Sequence, residues 1–193
     1  MAHKSMTNLR IEEIVATLEK KEKTHDEIIS KSRPLVRKCA NAIKMLHYGD
    51  AAGAKKEIEE LDCAMAKLVK FGGSWDYLLE PIWQEVVEAK VLVAAIERWP
   101  LPDYKKLKVP PEVYLLGLCD CIGEFRRQML EEIKAERLKE AQYYFELMQD
   151  TYEQMSVIRF SNSVLPNFRR KQDVARSQLE QARSEMLRAK RVD

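Results

Sequence analysis

Apolar residues recur every three or four positions along almost the whole chain, and no segment alternates cleanly between apolar and polar residues. This period is typical of amphipathic α-helices, whereas strict alternation would indicate strands. We therefore predict an all-α fold, an antiparallel bundle of about six to seven long helices in a single domain, residues 1–193. The expected helices cover 8–47, the a/d-spaced positions from Ala54 to Leu68, Ser74 to about Glu97, the segment from Pro110-Pro111, the seam 138–158, and the segment from Pro166.

Prolines, glycines and polar runs mark the places where these helices should bend or end. Pro34 lies inside the first helical pattern, so we expect a kink or a restart near Ser32. Three further interruptions are predicted, at the turn 71–74 with Ser74 as N-cap, at the loop 99–109 and at a bend over 133–137. Apolar seams on helices of this length often exceed what one chain can cover, so we also expect a homo-oligomer.

The composition excludes several classes of protein. Apolar residues make up 46% of the chain and charged residues 33%, with only 6 glycines, which rules out a disordered chain and disfavours a many-turned β-sandwich. No stretch is long and apolar enough to span a membrane. The first residues lack the apolar core of a signal peptide, so we expect a cytoplasmic protein.

Positive charge is concentrated at the two ends of the chain. Residues 1–48 contain ten basic and six acidic residues, and 166–193 contain eight and four, whereas 71–100 contain two and five. Each end thus has a formal charge of +4, although the net charge of the whole chain is only +2. Basic helices at both ends could form a phosphate-binding surface, but this charge is also ordinary for solvated helices.

Cysteines and histidines do not form a familiar metal motif. Cys119 and Cys121 lie two positions apart, which on a helix points them about 200° apart and excludes a disulfide or a zinc corner. A di-iron carboxylate bundle needs Glu-x-x-His on two helices, and the chain does not carry that motif twice. We interpret His47, near a helix end, as a surface or capping residue.

Four acidic residues lie on helical stripes that are otherwise apolar. Glu85 and Glu88 are one turn apart on a stripe that continues with residues such as Leu92, and Asp120 and Glu124 are one turn apart in the next long helix. A carboxylate on an apolar face costs on the order of several kcal/mol in lost solvation unless a cation pairs with it. Two facing helices would bring these carboxylates to one point, a hard oxygen site suited to Mg²⁺ or Mn²⁺.

Two glycines, Gly117 and Gly123, lie in the second of these helices, where each costs about 1 kcal/mol relative to alanine. A glycine at such a position lets a neighbouring helix or a substrate backbone come close. The alternative interpretation is structural, with the acids paired to Arg126, Arg127 or Lys90 in salt bridges. The spacing alone leaves both interpretations open.

The same residues carry a resemblance to a known family. The segment Val109–Arg127 (VPPEVYLLGLCDCIGEFRR) closely resembles the signature helix of the translin superfamily, above all in the branch of translin-associated factor X (Trax). Gln84–Ala89 (QEVVEA) resembles a second acidic motif of that branch. The first helix, which contains Ser32-Arg33 and Met45-Leu46-His47, and the segment Leu165–Asp173 are similar in a more general way, so that the resemblance covers about residues 9–187.

In that family, Trax-type subunits supply the acidic residues of an Mg²⁺-dependent endoribonuclease, whereas translin subunits bind nucleic acid without a full set of acids. The resemblance implies that Glu85, Glu88 and Asp120 are catalytic, metal-binding residues and that Glu124 is the fourth acid beside them. It also implies a translin-like bundle that assembles into a hollow homo-oligomer, an octamer with its active sites facing inward. The brief loop at 99–109, where eukaryotic Trax has a long insertion, indicates a compact prokaryotic or archaeal member.

We accordingly expect cleavage of single-stranded or flexible RNA with low sequence specificity, with Mg²⁺ or Mn²⁺ as cofactor and no membrane partner. Single-stranded DNA and a translin-like partner subunit are further candidate partners. From the two basic ends we select five phosphate contacts, namely Arg33, Arg37, Arg169, Arg170 and Lys171. Two other functions stay open at this stage, a non-catalytic nucleic-acid-binding assembly with structural acids and a helical scaffold for protein partners.

Overall fold

The structure is a computed structural model that describes residues 9–190, except for the side chains of residues 71–74 and 76. Within this part of the chain, seven α-helices and one 3₁₀ segment follow one another and there is no strand, so the predicted all-α fold is confirmed. Their bounds are α1 Ile11–His47, α2 Ala51–Gly72, the 3₁₀ segment Gly73–Leu79, α3 Glu80–Ile96, α4 Tyr104–Leu107, α5 Pro111–Lys134, α6 Leu138–Ser156 and α7 Phe168–Ala189.

Helix α1 is continuous through Pro34, and the restart expected near Ser32 does not occur. The Ser32 hydroxyl donates to the carbonyl of Ile29 at 2.8 Å, a side-chain bond within the turn that precedes the proline. Both flanks of Pro34 belong to one helix because the packing of α1 against α2 and α3 outweighs the loss of one backbone hydrogen bond.

The first part of α1 projects from the bundle. Every residue from 11 to 23 is exposed, and the first buried residue of the helix is Ile28. Four large apolar side chains of this exposed arm share one helical stripe, namely Ile11, Ile14, Val15 and Leu18. The rest of the bundle does not cover that stripe.

The predicted turn at 71–74 is wrong. Helix α2 extends through Gly72, and the 3₁₀ segment then leads directly into α3. Pro81 stands in the first turn of α3, where its fixed φ and missing amide favour a helix start. The helix therefore begins later than expected, at Glu80, and the side chain of the predicted N-cap Ser74 lies outside the described residues.

The ends and connections of the later helices differ from the prediction at two places and agree with it at a third. The predicted loop 99–109 contains the short helix α4, whose first turn is capped because the carboxylate of Asp103 accepts from the amide of Lys106 at 2.8 Å. Helix α6 ends at Ser156 and not at 158. The bend predicted over 133–137 is confirmed between α5 and α6, where Glu136 has a positive φ of 58°.

Helix α3 lies at the centre of the molecule. It packs against α1 and α2 on one side and against α5 on the other, while α5 in turn packs against α6 and α7. Its apolar residues are buried almost all round, as expected for a helix that is enclosed by neighbours. Glu85 and Glu88 are thereby carried to where α3 packs against its neighbours, whereas Glu80 is exposed in the first turn. Within the described residues, none of the helices has both the length and the hydropathy needed to cross a bilayer.

Candidate functional site

The four carboxylates singled out by their spacing come together where α3 packs against α5. Glu85 and Glu88 come from α3, and Asp120 and Glu124 come from α5. The negative charges of Asp120 and Glu124 act on both Glu85 and Glu88. We call these four residues the acidic cluster; that they bind metal and catalyse stays a prediction.

Gly117 allows the two helices to approach. A Cβ atom at this position would lie 2.7 Å from the Cβ of Val87 and 3.1 Å from the carbonyl oxygen of Gln84. The first distance is too short for an alanine and the second is unusually tight, so only glycine fits unless α3 moves away. The contact lies directly beside Glu85 and Glu88 in sequence, which is why the carboxylates of the two helices are close.

Burial makes two of the carboxylates hard to ionise. The pKa of Glu88 is raised to about 8, first by burial and then by the charges of Glu85, Glu124 and Asp120. Burial is also the main reason why the pKa of Glu85 is raised, with further repulsion from Asp120 and Glu124. Lys171 opposes both shifts. Because the ionised carboxylates are unfavourable in this site, a bound cation would stabilise them.

The ammonium group of Lys171 contacts the acidic cluster. Its Nζ donates to the carboxylate of Asp120 and, at 2.8 Å, to the side-chain oxygen of Gln84. The sequence predicted Lys171 as a phosphate contact, and the structure instead places it against an acid of the cluster. The first turn of α7 is thereby tied to both α3 and α5.

His47 is a member of the site that the sequence analysis missed. Its side chain is only 3% exposed, so the prediction of a surface or capping residue is wrong. The ring nitrogen Nε2 contacts the carboxylate of Glu124, and Nδ1 lies 3.1 Å from the side-chain oxygen of Gln128. The helical spacing of the sequence does indicate this burial, because His47 follows the buried Ile43 by four residues and so continues the buried face of α1.

The hydrogen bond to Gln128 fixes the orientation of the His47 ring. The amide nitrogen of Gln128 donates to Glu132 at 3.2 Å, so its oxygen must accept from the Nδ1–H of His47. Nδ1 is therefore the donor in that hydrogen bond, and Nε2 faces the carboxylate of Glu124. The histidine thus fixes the orientation of Glu124.

The structural alternative for the acids has little support from the partners first considered. Arg126 pairs with Glu185, its Nε lying 3.0 Å from the carboxylate, and Lys90 pairs with Asp62 at 2.6 Å. Arg127 does lie close, since it lines a cavity of about 320 Å³ together with Lys44 and three acids of the cluster, namely Glu85, Glu88 and Glu124. The walls of this cavity combine cationic and anionic side chains.

The donor chemistry of the cluster fits a hard divalent cation, because four carboxylates from two helices converge and two of them resist ionisation. As the side chains stand, however, no three His, Cys, Asp or Glu residues within 9–190 are arranged to hold a metal ion. Asp120 is turned to Lys171 and Glu124 to His47. Binding a metal would require at least one of these side chains to exchange its partner.

The other predicted phosphate contacts lie on the surface. Arg169 and Arg170 are exposed in the first turn of α7, immediately before Lys171. Arg33 and Arg37 are exposed on α1, and no described contact links them to the acidic cluster. The structure therefore associates only the α7 group with the candidate site.

The chain is similar to a known protein family and to an archaeal relative. Residues 8–185 match the Translin family. An uncharacterised protein of Methanocaldococcus jannaschii is 35% identical over 179 residues, which cover 90% of this chain and 80% of the relative.

Three solved structures share the fold. The complex of AfC3PO with duplex RNA and the crystal structure of AfC3PO are each 28% identical, cover 95% of this chain and 98% of theirs, and superpose with TM-scores of 0.85 and 0.84. The crystal structure of apo-NeC3PO, at 21% identity, covers 96% of this chain and 100% of its own with a TM-score of 0.83, and so supports the fold alone. The chain belongs to the Translin family.

Proposed function

We propose that this protein is a homo-oligomeric, Trax-like endoribonuclease that binds RNA and cleaves it at the acidic cluster with Mg²⁺ or Mn²⁺. The observation that carries the proposal is the convergence of Glu85, Glu88, Asp120 and Glu124 in a half-buried position where α3 meets α5. Burying four carboxylates together is expensive, and a divalent cation is the partner that would offset the cost.

RNA as the ligand is supported by the structural relatives. The fold of AfC3PO matches 95% of this chain, and AfC3PO has been solved in complex with duplex RNA. The exposed apolar stripe on the arm of α1 supports an oligomer, because four large apolar side chains on one stripe need cover. Assembly as an octamer is part of the proposal.

In this proposal Glu85, Glu88, Asp120 and Glu124 hold the cation. A bound Mg²⁺ ion would lower the pKa of a coordinated water and offset charge on the scissile phosphate. Lys171, Lys44 and Arg127 surround the cluster with positive charge that can pair with phosphate oxygens. His47 contacts Glu124 and orients its carboxylate.

The test is cleavage of a labelled RNA single strand by the purified protein with Mg²⁺, Mn²⁺ or EDTA. The wild type should cleave only with a divalent cation, and Glu88→Gln and Asp120→Asn should abolish cleavage while binding RNA as tightly or more tightly. The substitutions keep the shape of each side chain but remove a charge that repels phosphate. Glu131→Gln, an exposed acid of α5, is the matched control and should cleave normally.

A second candidate is a non-catalytic RNA-binding assembly. It is favoured by one observation, the ammonium of Lys171 on Asp120, which already gives one carboxylate a cationic partner. In that case Glu88→Gln and Asp120→Asn would leave the RNA chemically unchanged, as would the wild type, in every metal tested. Tight RNA binding without cleavage would decide for this candidate.

A further inference from the structure

The first turn of α7 carries an unusual charge pattern. Arg169, Arg170 and Lys171 follow one another there, and the turn has no acidic residue. Cations are unfavourable at a helix N-terminus, because the helix dipole is positive at that end. Lys171 has Asp120 as partner, whereas no described ion pair joins Arg169 or Arg170 to an acid. The two arginines are thus available to an anion from outside.

Two adjoining cavities flank this turn. Their volumes are about 700 and 440 Å³, and both are lined by Phe160, Arg169 and Asp173, which therefore form the ridge between them. Phe160, from the connection between α6 and α7, is 67% exposed. A phenyl ring that stands free beside unpaired arginines is the combination that binds unstacked nucleobases next to their phosphates.

The lining of the two cavities has a net positive charge even with Asp173 included. Asp173 pairs with Arg176 at 3.5 Å, so the one acid on the ridge is already compensated. Arg159 lines the smaller cavity and is held there by the carbonyl of Ile158 at 2.8 Å. Four arginines thus face one aspartate across the two cavities.

We propose that Phe160, Arg169 and Arg170 form a subsite for single-stranded RNA, with a base stacked on the ring of Phe160 and the neighbouring phosphates on the two arginines. The proposal rests on the proposed function in so far as RNA is the ligand. Lys171 follows Arg170 directly in sequence and contacts Asp120, so the first turn of α7 carries both the two arginines and a partner of the acidic cluster. A duplex keeps its bases stacked and has none to offer to the ring.

The experiment measures the affinity for a fluorescein-labelled oligouridylate by anisotropy in EDTA, which prevents cleavage. Phe160→Leu keeps the apolar bulk and removes the aromatic face, and it should weaken binding about 5- to 100-fold at unchanged salt dependence. Phe160→Trp should bind at least as well as the wild type, and its added fluorescence should be quenched by RNA. Arg169→Ala with Arg170→Ala should weaken binding and lower the slope of log affinity against log salt by about 1.4.

Two controls separate the possible outcomes. Val157→Ala removes a neighbouring exposed apolar group and should leave RNA affinity unchanged, and a blunt-ended RNA duplex should bind wild type and Phe160→Leu equally. Wild-type affinity of Phe160→Leu for the oligouridylate would overturn the subsite. So would a change of oligomeric state in both Phe160→Leu and Val157→Ala, because the patch would then bind another copy of the chain. Failure of the wild type to bind any RNA would instead refute the proposed function.

Discussion

At the scale of single residues, the properties of the site come from carboxylates placed where water cannot solvate them fully. Glu88 is the most affected, since its pKa is raised to about 8 by burial and by three neighbouring acids. At neutral pH this side chain is largely protonated unless a cation stabilises its charged form. Metal binding and proton release from Glu88 are therefore coupled.

This coupling predicts how stability depends on pH without metal. The pKa of Glu88 is ordinary in the unfolded chain and about 8 in the fold, so the folded state binds more protons between these values and loses stability as pH rises. Glu88→Gln should therefore stabilise the EDTA-treated protein at pH 9, by on the order of 2 kcal/mol, and by much less at pH 5. Thermal unfolding followed by circular dichroism measures both values. Equal melting temperatures at pH 9 would show that the carboxylate is well solvated.

His47 gives a second prediction at this scale. Asparagine places its amide near the position of Nδ1 and loses the contact with Glu124, whereas glutamine reaches farther, toward the position of Nε2. His47→Asn should weaken Mn²⁺ binding about tenfold or more in calorimetry, and His47→Gln should restore part of the affinity. His25→Asn, at a histidine that contacts Asp26 and the ring of Trp75, is the control and should bind Mn²⁺ like the wild type. Unchanged affinity in His47→Asn would remove the histidine from the site.

The sequence predicts part of the site and not the rest, for a physical reason. The four acids are visible in the sequence because each breaks an apolar stripe on its own helix. The partners of those acids cannot be recognised in this way. His47 and Lys171 reach the acids from helices that are distant in sequence, and the packing of the whole bundle decides where those helices cross. The polar residues of such contacts look like ordinary surface residues until the helices are assembled.

At the scale of elements, the contact between α3 and α5 decides whether the acidic cluster exists. Gly117 and Gly123 both lie in α5, and each would gain about 1 kcal/mol of helix propensity as alanine. Their surroundings differ. A Cβ at Gly117 would meet Val87 at 2.7 Å, whereas a Cβ at Gly123 would meet only the side-chain end of Gln178, at 3.0 Å.

This difference predicts opposite effects of the same substitution. Gly117→Ala should lower the free energy of unfolding by about 1 to 3 kcal/mol, because overpacking against α3 exceeds the gain in propensity, and it should weaken Mn²⁺ binding as the helices separate. Gly123→Ala should be neutral or stabilising, since the end of a glutamine side chain can move. Chemical denaturation of both variants measures the free energies. A stable Gly117→Ala that binds metal normally would show that the close approach is not needed.

Helix positions follow from the sequence better than helix ends. The seam from Ala54 to Leu68 is buried as its a/d spacing predicts, and the start at Pro110-Pro111 is confirmed. The turn at 71–74 is wrong because two glycines favour a turn locally, while the chain continues through them as α2 and a 3₁₀ segment until Pro81 begins α3. Pro34 shows the same effect, since packing on both sides keeps α1 whole.

At the scale of the whole molecule, the exposed arm of α1 is the main feature that the single chain does not explain. Leu18 lies on its apolar stripe, and Ala16 lies on the opposite side of the same exposed helix. If the stripe holds the oligomer together, Leu18→Asp should reduce the mass measured by light scattering, while Ala16→Asp, with the same added charge, should not. A wild-type protein that is monomeric at micromolar concentration would contradict the proposed assembly.

The most direct test of the central claim is anomalous diffraction from crystals soaked in Mn²⁺. If the acidic cluster binds metal, one or two anomalous peaks should lie among the carboxylate oxygens of Glu85, Glu88 and Asp120, at about 2.1 to 2.2 Å from them, with the ammonium of Lys171 moved off Asp120. Glu88→Gln crystals under the same conditions should show the peak weakened or absent. No peak at the cluster, with Lys171 still on Asp120 at saturating Mn²⁺, would contradict the account and leave the acids with a structural role.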